Sequence, residues 1–355
     1  MMKAGIYNPY LDSLGGGERY AMTLADCLLK LGWQVEVFWS GPPLKEQFKK
    51  RLNLSLEKVN FVSAQPAMEK NLFKRRQGMK NYDLIFWLSD GSVPFLFAKQ
   101  NWLHFQVPFT RVGGKNFLNQ LKLKNIDQVI CNSQFTKRFI DKEYGAESVV
   151  VYPPVAINEF GPLTKKNLIL GVSRFSKSLH AKKQEVLINT FKKMCQQGLT
   201  DWNLALAGGL QSDGEKYLKE LKAQAKGLPI DFYPNLSFED LQRLYGQAKI
   251  FWHAAGSGEN EEIHPERTEH FGIVVVEAMA AGAVPIVVAK GGLPEIIEQG
   301  KNGILWQNEK DLIKQSLNLI NSPAKMSTLA LAAQKKSRQF SQEVFCRKIK
   351  ELIRD

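Results

Sequence analysis

The sequence predicts an α/β fold made of two Rossmann-like domains with a cleft between them. Three observations carry this. Strand and helix patterns alternate along almost all of the 355 residues, and a double proline, Pro153–Pro154, interrupts the alternation near the middle. The chain is also too long for one small core. Alternation with short connections builds parallel sheets covered on both faces, whereas proline suits neither a central strand nor a helix interior.

Taken in order, KAGIY reads as a strand and GERYAMTLADCLLKLG as an amphipathic helix closed by Gly32. WQVEVFWS is a second strand, and VNFVS, YDLIFWL and QNWLHFQ continue the series. DQVICNSQFTKRFIDKEYG reads as strand, turn, helix and glycine stop, with Asn132 or Ser133 placed to cap the helix. After SVVVYPPV the alternation restarts. NLILGVSRF, WNLALAGG, IDFYPNLS and KIFWHAA are strands, separated by the helices KQEVLINTFKKMCQQG, GEKYLKELKAQAKG and FEDLQRLYGQA. The tail closes on the helix EVFCRKIKELIRD. This organisation gives a first domain over 1–160, a second over 161–338, and a helix over 339–355 that packs back toward the first.

With 44% hydrophobic and 23% charged residues, the composition is that of a soluble globular protein. Cys27, Cys131, Cys195 and Cys346 are scattered, with no CxxC and no His/Cys cluster; this favours a reducing compartment and no structural metal. No signal-peptide pattern and no long apolar run is present: the longest candidate, from Ile273 to Ala289, is broken by Glu277, Gly282 and Pro285. A cytoplasmic location is therefore expected. The net charge of +13 is unevenly spread, for between Lys45 and Lys80 ten basic residues face three acidic ones. Such a stretch is a solvated face or a surface for anionic lipid head groups. No nucleic-acid-binding signature accompanies it.

Three constellations can carry chemistry. In LGGGER, glycines before a helix let backbone N–H groups approach an anion at the positive end of the helix dipole. A dinucleotide fingerprint with Glu36 and a plain turn are the alternatives, the former lacking its third glycine because Tyr20 stands there. In SRFSKSLHAKKQ, Arg174 lies just past a strand and Lys182 near the next helix, with Lys183 beside it. Cations so placed neutralise the charge that develops on a leaving diphosphate; His180 between them is a phosphate contact or a loop histidine. In EHFGIVVVEAMAAGAVPIVVAKGGLPE, Glu269 sits in a loop and Glu277 on the helix that follows Gly272. The His270–Phe271–Gly272–Ile273 turn is another helix N-terminus for phosphate, and Gly291–Gly292 lets a ligand lie against backbone. Otherwise Glu269 answers the helix dipole and Glu277 is a buried partner. Taken together these features suit a sugar attached to a nucleoside diphosphate.

The combination GGGER, VYPPV, SRF…HAKKQ, LAGG, YPNLS and EHFGIVVVEAMAAGAVPIV…GGLPEII resembles the family 4 glycosyltransferases of GT-B fold, over essentially the whole chain. EHFGI with VEAMAAG is similar to the mannosyltransferases of lipid-linked oligosaccharide assembly. The resemblance implies transfer of a hexose, with retention of configuration, from a nucleotide sugar to a lipid-linked or glycan acceptor. Guanosine diphosphate mannose or a uridine donor would serve, in cell-envelope glycan synthesis at the inner face of the membrane. It further implies that Glu277 binds the ribose, Glu269 the transferred sugar, and Arg174 and Lys182 the diphosphate. Asn235 and Leu236 would flank the base, Gly16 and Gly17 approach the diphosphate, and His104 lie by the reacting sugar, with Asp90 near the acceptor. Two residues more than the common family spacing separate the Arg from the Lys, and HPERTEHFG inserts His264, Glu266 and Arg267 before Glu269. No D-x-D occurs, so no metal or other cofactor is expected. A nucleotide-sugar epimerase, a phosphorylase-like enzyme and a non-catalytic sugar-nucleotide-binding protein are the competing readings.

Overall fold

The computed structural model describes residues 1–13, 15–52, 54, 56–177 and 182–353. The chain forms two compact units, Met1–Pro154 with Gln342–Asp355, and Val155–Ser341.

The first unit contains β1 (Lys3–Tyr7), α1 (Gly16–Lys30), β2 (Gln34–Phe38), α2 (Lys45–Leu52), β3 (Asn60–Val62), α3 (Gln65–Met68) and α4 (Leu72–Met79). It continues through β4 (Leu84–Leu88), β5 (Gln100–Phe105), α5 (Phe117–Leu123), β6 (Gln128–Cys131), α6 (Gln134–Tyr144) and β7 (Val149–Val150). All pairings in its sheet are parallel, in the order β3-β2-β1-β4-β5-β6-β7. Strands covered on both faces read as continuous apolar runs; LIFWL of β4 is buried at every position. Ser133 is the α6 cap, accepting from Thr136 N–H at 3.0 Å, and Gly145 ends that helix in the left-handed region.

The basic stretch is helical, as α2, α3 and α4. Its helices KEQFKKRL and LFKRRQGM carry few apolar residues, so they show little periodicity; Phe48 and Met79 anchor them in the core.

The second unit contains β8 (Lys166–Val172), α7 (Gln184–Gln196), β9 (Asn203–Gly208), α8 (Glu215–Gln224), β10 (Ile230–Pro234), α9 (Phe238–Gln247) and β11 (Ala248–His253). After it come α10 (Ile273–Ala280), β12 (Val284–Val288), α11 (Leu293–Ile296), β13 (Ile304–Trp306), α12 (Glu309–Ile320) and α13 (Pro323–Ser337). Its parallel sheet runs β10-β9-β8-β11-β12-β13. The segment after Pro154 belongs here and not, as the sequence suggested, with the first domain. Val155 N–H donates to Phe340 O at 2.9 Å, and Phe160 packs edge-on against Phe238 and Tyr245.

The chain then returns to the first unit as α14 (Gln342–Leu352), an amphipathic helix whose Phe345 and Ile349 enter the core beside α1. Phe345 meets Tyr20 edge-on at 4.8 Å, and Cys346 forms a disulfide with Cys27. The scattered cysteines had suggested a reducing compartment, where such bonds are rare. Its partners stand 319 residues apart, and only the return of α14 onto α1 brings their Cα atoms within 5.4 Å. Cys131 and Cys195 are free.

In each sheet the strand order reverses once, between β1 and β4 and between β8 and β11. Ligands of open α/β sheets sit at the carboxyl ends of strands flanking such a switch point. Among the described residues, no helix is long and apolar enough to cross a membrane.

Candidate functional site

At the switch point of the second unit, β8 delivers Ser173 and Arg174, and β11 ends on His253. Arg174 is exposed and makes no ion pair among the described residues. Its backbone is fixed from two sides. Its carbonyl accepts from Gln184 Nε2 at 2.9 Å, and the turn after β9 presses against Ser173. A Cβ on Gly208, whose φ is +156°, would stand 1.9 Å from Ser173 O. Gly208→Ala is therefore expected to cost roughly 1–3 kcal/mol, as a clash that only backbone movement relieves. A urea titration that leaves the midpoint unchanged would contradict this packing.

Asn235, at φ +54°, ties the next turn to the same wall: its side chain accepts from Leu210 N–H at 2.9 Å and donates to Leu210 O at 3.2 Å. Leu236 follows, half-buried. Asn235 thus forms one edge with the Gly208–Leu210 turn, its own N–H donating to Gly208 O at 2.9 Å.

Lys182 and Glu269 come together. Lys182 Nζ donates to Glu269 Oε2 at 2.8 Å, and both side chains are less than one-fifth exposed, 16% and 17%. The buried His253 places Nε2 3.0 Å from the same oxygen. Burial alone would raise the Glu269 carboxyl; Lys182 and His253 outweigh it and hold the group well below the usual carboxylate range. Glu269 is thus an anion whose Oε2 is gripped twice. His180 lies outside the described residues.

Glu277 is buried on α10 and accepts from Tyr245 Oη at 2.9 Å. Gly272 is the N-cap of that helix, with His270 half-buried, Phe271 packed on Phe340, and Ile273 opening the first turn. The first amides of a helix lack intrahelical partners, so this turn can receive an anion. Gly291 and Gly292 serve a different end from the expected one. A Cβ on Gly291, at φ +63°, would lie 2.1 Å from Glu269 O, and Gly292 N–H donates to that carbonyl at 2.8 Å. Close approach is needed here by the protein's own backbone at Glu269.

The inserted stretch before Glu269 braces the same loop. Glu259 pairs with Lys183 at 2.9 Å and with Arg267 at 3.5 Å, while Glu261 accepts from Gly291 N–H at 2.8 Å. His264 stays beside Glu266 at 3.2 Å. Lys183 is thereby committed to Glu259, which leaves Lys182 as the lysine facing Glu269.

In the first unit, α1 starts at Gly16 with Gly17 in its first turn. Glu18, nearly fully buried, turns back to accept from Gly15 N–H at 2.7 Å and Ser13 Oγ at 2.8 Å. Gly17 faces Gln106, just beyond β5, so closely that a Cβ would meet Oε1 at 2.5 Å. His104 departs from expectation. It is fully buried, stacked on Tyr20 at 4.1 Å, with Nδ1 3.1 Å from Ile130 O. Burial pushes its pKa down to about 3, so it is a neutral core histidine with no surface for a substrate. Every residue of β5 from Asn101 to Phe105 is buried, which is why residue type alone misled. Asp90, exposed beyond β4, accepts from Ser92 N–H and Oγ.

Sequence reasoning missed His253 and Gln106. His253 stands at the end of β11 beside a switch point, and Gln106 just past the end of β5, one strand further from the other; a polar residue at a strand end was the available signal.

Residues 155–336, more than half of the chain, match the family model described as glycosyl transferases group 1, and residues 14–159 match glycosyltransferase family 4. An uncharacterized glycosyltransferase of Methanocaldococcus jannaschii is 28% identical over 62% of this chain and 57% of its own length. The GDP-Man:Man(3)GlcNAc(2)-PP-Dol alpha-1,2-mannosyltransferase of Dictyostelium discoideum is 25% identical over 60% of this chain and 43% of its own. The chain thus spans about half the length of both relatives, whereas an uncharacterized glycosyltransferase of Haemophilus influenzae, 25% identical, is covered over 98%. Among solved structures, a glycosyltransferase from Rickettsia africae superposes with TM-score 0.78 at 19% identity, covering 99% of this chain and 97% of that one. Anabaena HepE in complex with UDP and glucose superposes with TM-score 0.74 at 20% identity, covering 99% of both chains.

Proposed function

Because the chain belongs to the group 1 glycosyl transferases, an enzyme family whose GT-B fold it has, we propose that it moves a hexose from a nucleoside-diphosphate sugar to a glycan or lipid-linked acceptor. The single observation that carries this reading is the grip of Lys182 and His253 on Glu269 at the β8/β11 switch point. An anionic carboxylate held this way accepts sugar hydroxyls, while exposed Arg174 and the α10 amides take the diphosphate. Glu277 takes the ribose hydroxyls, and Asn235 and Leu236 edge the base. Mannose is the preferred hexose, on the family resemblance of EHFGI and VEAMAAG drawn from the sequence and on the mannosyltransferases among the similar proteins.

In the reaction the bond from sugar C1 to the diphosphate oxygen breaks and a bond from C1 to the acceptor oxygen forms. Arg174 and Lys182 stabilise the negative charge that collects on the diphosphate. No carboxylate is placed as a covalent nucleophile in this reading, so attack comes on the face the leaving group departs from. The leaving phosphate takes the acceptor proton, which retains the configuration. The first unit binds the acceptor, the basic stretch from Lys45 to Lys80 faces anionic lipid, and neither metal nor other cofactor takes part.

A thermal-shift screen over nucleotide sugars tests the reading, since a matching donor stabilises by mass action, by about 2.7 kcal/mol at a hundred times its Kd. Glu277→Ala is expected to weaken the matching donor by about tenfold, the loss of one charge-assisted hydrogen bond. Arg174→Ala is expected mainly to slow turnover. Mass spectrometry of donor incubated with a lipid extract should then show a new glycoconjugate. A protein that no nucleotide sugar stabilises does not have this site.

A further inference from the structure

Strand β8 leaves its sheet unevenly. Its ladder with β11 ends at Leu170, opposite Phe251, whereas its ladder with β9 runs on to Val172, opposite Ala207. Past the strand, Ser173 N–H still donates to Ala207 O and Phe175 N–H to Gly209 O, both at 2.9 Å. Alternate residues of a strand turn their backbone groups to opposite neighbours. The Arg174 carbonyl therefore looks toward the side of β11, where pairing has already ended. A backbone carbonyl left there needs another donor.

Gln184 supplies it from the first turn of α7. The residue is 1% exposed, and its Nε2 donates to Arg174 O at 2.9 Å and to Ser173 Oγ at 2.8 Å, which uses both amide hydrogens. A carbonyl only accepts, so the nitrogen has to be the atom facing Arg174. At the other end of the amide, the hydroxyl of the buried Tyr217 on α8 reaches Oε1 at 3.0 Å and Glu185 Oε2 at 2.6 Å. Apart from Gln184, the Arg174 carbonyl meets only Ser176 N–H of its own turn, at 3.1 Å, among the described residues.

A buried glutamine with its amide fully paired is an ordinary core residue when its partners are ordinary. Here one partner carries the exposed guanidinium at the switch point. Two residues before Gln184 stands Lys182, whose ammonium grips Glu269. The hydrogen bonds of Gln184 thus close a loop that has a cation at each end. Arg174 makes no ion pair among the described residues, so its backbone is the part that the fold places in advance. A shift of that backbone moves the whole reach of the side chain.

We propose that Gln184, steadied by Tyr217, is a positioning residue of the donor site: it sets Arg174 against Lys182 so that both cations meet one diphosphate. The proposal rests on the donor reading above. It adds a residue that acts without touching the ligand, by standing in for the strand that β8 lacks on one side.

The product diphosphate bears the charge that Arg174 meets in the reaction, so its binding reads the positioning with no acceptor present. With the whole chain, uridine diphosphate and guanosine diphosphate are each titrated by calorimetry, and the tighter is compared with its own monophosphate. Wild type is expected to prefer the diphosphate, and Arg174→Ala to lose about tenfold of that preference, the worth of one charge-assisted contact. Gln184→Met keeps the shape of the side chain and loses its donors. It should weaken the diphosphate about threefold to tenfold, as one or two neutral hydrogen bonds would, and leave the monophosphate within about twofold of wild type. Added to Arg174→Ala, it should take nothing further from the preference, because it acts through Arg174. Gln184→Asn, which keeps the amide but falls short of both acceptors, should repeat the loss and replaces Gln184→Met if that variant does not fold.

A preference unchanged in the Gln184 variants would overturn the proposal. Equal weakening of both nucleotides would do the same, as the mark of a residue that only holds the unit together, and so would a loss that adds in full to that of Arg174→Ala. A wild type that binds neither nucleotide, or an Arg174→Ala variant that keeps the whole preference, brings down the donor reading itself and the proposal with it.

Discussion

Glu269→Gln is expected to lower kcat by about two to three orders of magnitude, the scale seen when one preorganised polar group is removed from a reacting centre. The amide is nearly isosteric, so the loop keeps its shape. It loses the charge that Lys182 and His253 both address through Oε2. Lys182, only 16% exposed, then lacks its counter-charge, which moves it relative to the diphosphate it should stabilise. Nucleoside diphosphate affinity should change little, because the proposed reading has Glu277 hold the ribose and Asn235 and Leu236 the base; steady-state kinetics beside nucleotide titration reads the difference. Equal losses in nucleotide binding and turnover would show that the Glu269 loop is only a structural brace.

The same substitution has a pH signature. A carboxyl whose folded pKa is depressed adds stability that is complete above its unfolded value, about 4.3. That stability is lost as pH falls below 4.3 toward the folded value. Wild type should therefore lose stability through this acid window more steeply than Glu269→Gln, and the two curves should run parallel above it. Chemical denaturation between pH 3 and pH 6, as an order-of-magnitude range around that value, measures both slopes. Parallel acid limbs would show that the carboxylate is not held low.

The second large effect is on stability. Cys346→Ser is expected to destabilise the first unit by about 2–5 kcal/mol, toward the upper end because the bond closes so long a loop. For a unit of this size that amounts to a fall in Tm on the order of 10 °C. Reductant should reproduce the fall in wild type and add nothing to the variant. Cys195→Ser, which touches a free and half-buried thiol, serves as the control. Identical melting of oxidised and reduced wild type would mean that α14 is held by Phe345 and Ile349 alone.

Much of the fold was legible because parallel strands buried on both faces give apolar runs that little else imitates; β4 and β12 are cases. Glycine-led turns and cations at strand ends pointed to the candidate site for the same reason, since the carboxyl ends of such strands are where ligands go. What stayed hidden depends on contacts across the chain. His253 reads as one more residue of a buried strand until the fold sets it 3.0 Å from Glu269. Gly291 and Gly292 looked like a ligand seat, yet the backbone at Glu269 and His270 fills the space they leave. His104 had the right chemistry for a reacting centre, and only the fold reveals that it is fully buried and stacked on Tyr20. Helices α2 and α4 escaped notice because charge, and not periodicity, dominates them.

The first unit is assembled from two separated stretches, with residues 342–353 completing it after the whole second unit has been made. During synthesis, which proceeds at about 5–20 residues per second, the N-terminal sheet therefore emerges with its α1 face uncovered. It must wait on the order of ten seconds or more for its last helix. Domains usually fold as units in the order they leave the ribosome; here the first to emerge is the last to be finished. A ribosome stalled anywhere in the second half would hold a first unit in which Tyr20 still lacks Phe345 and Cys27 its disulfide partner.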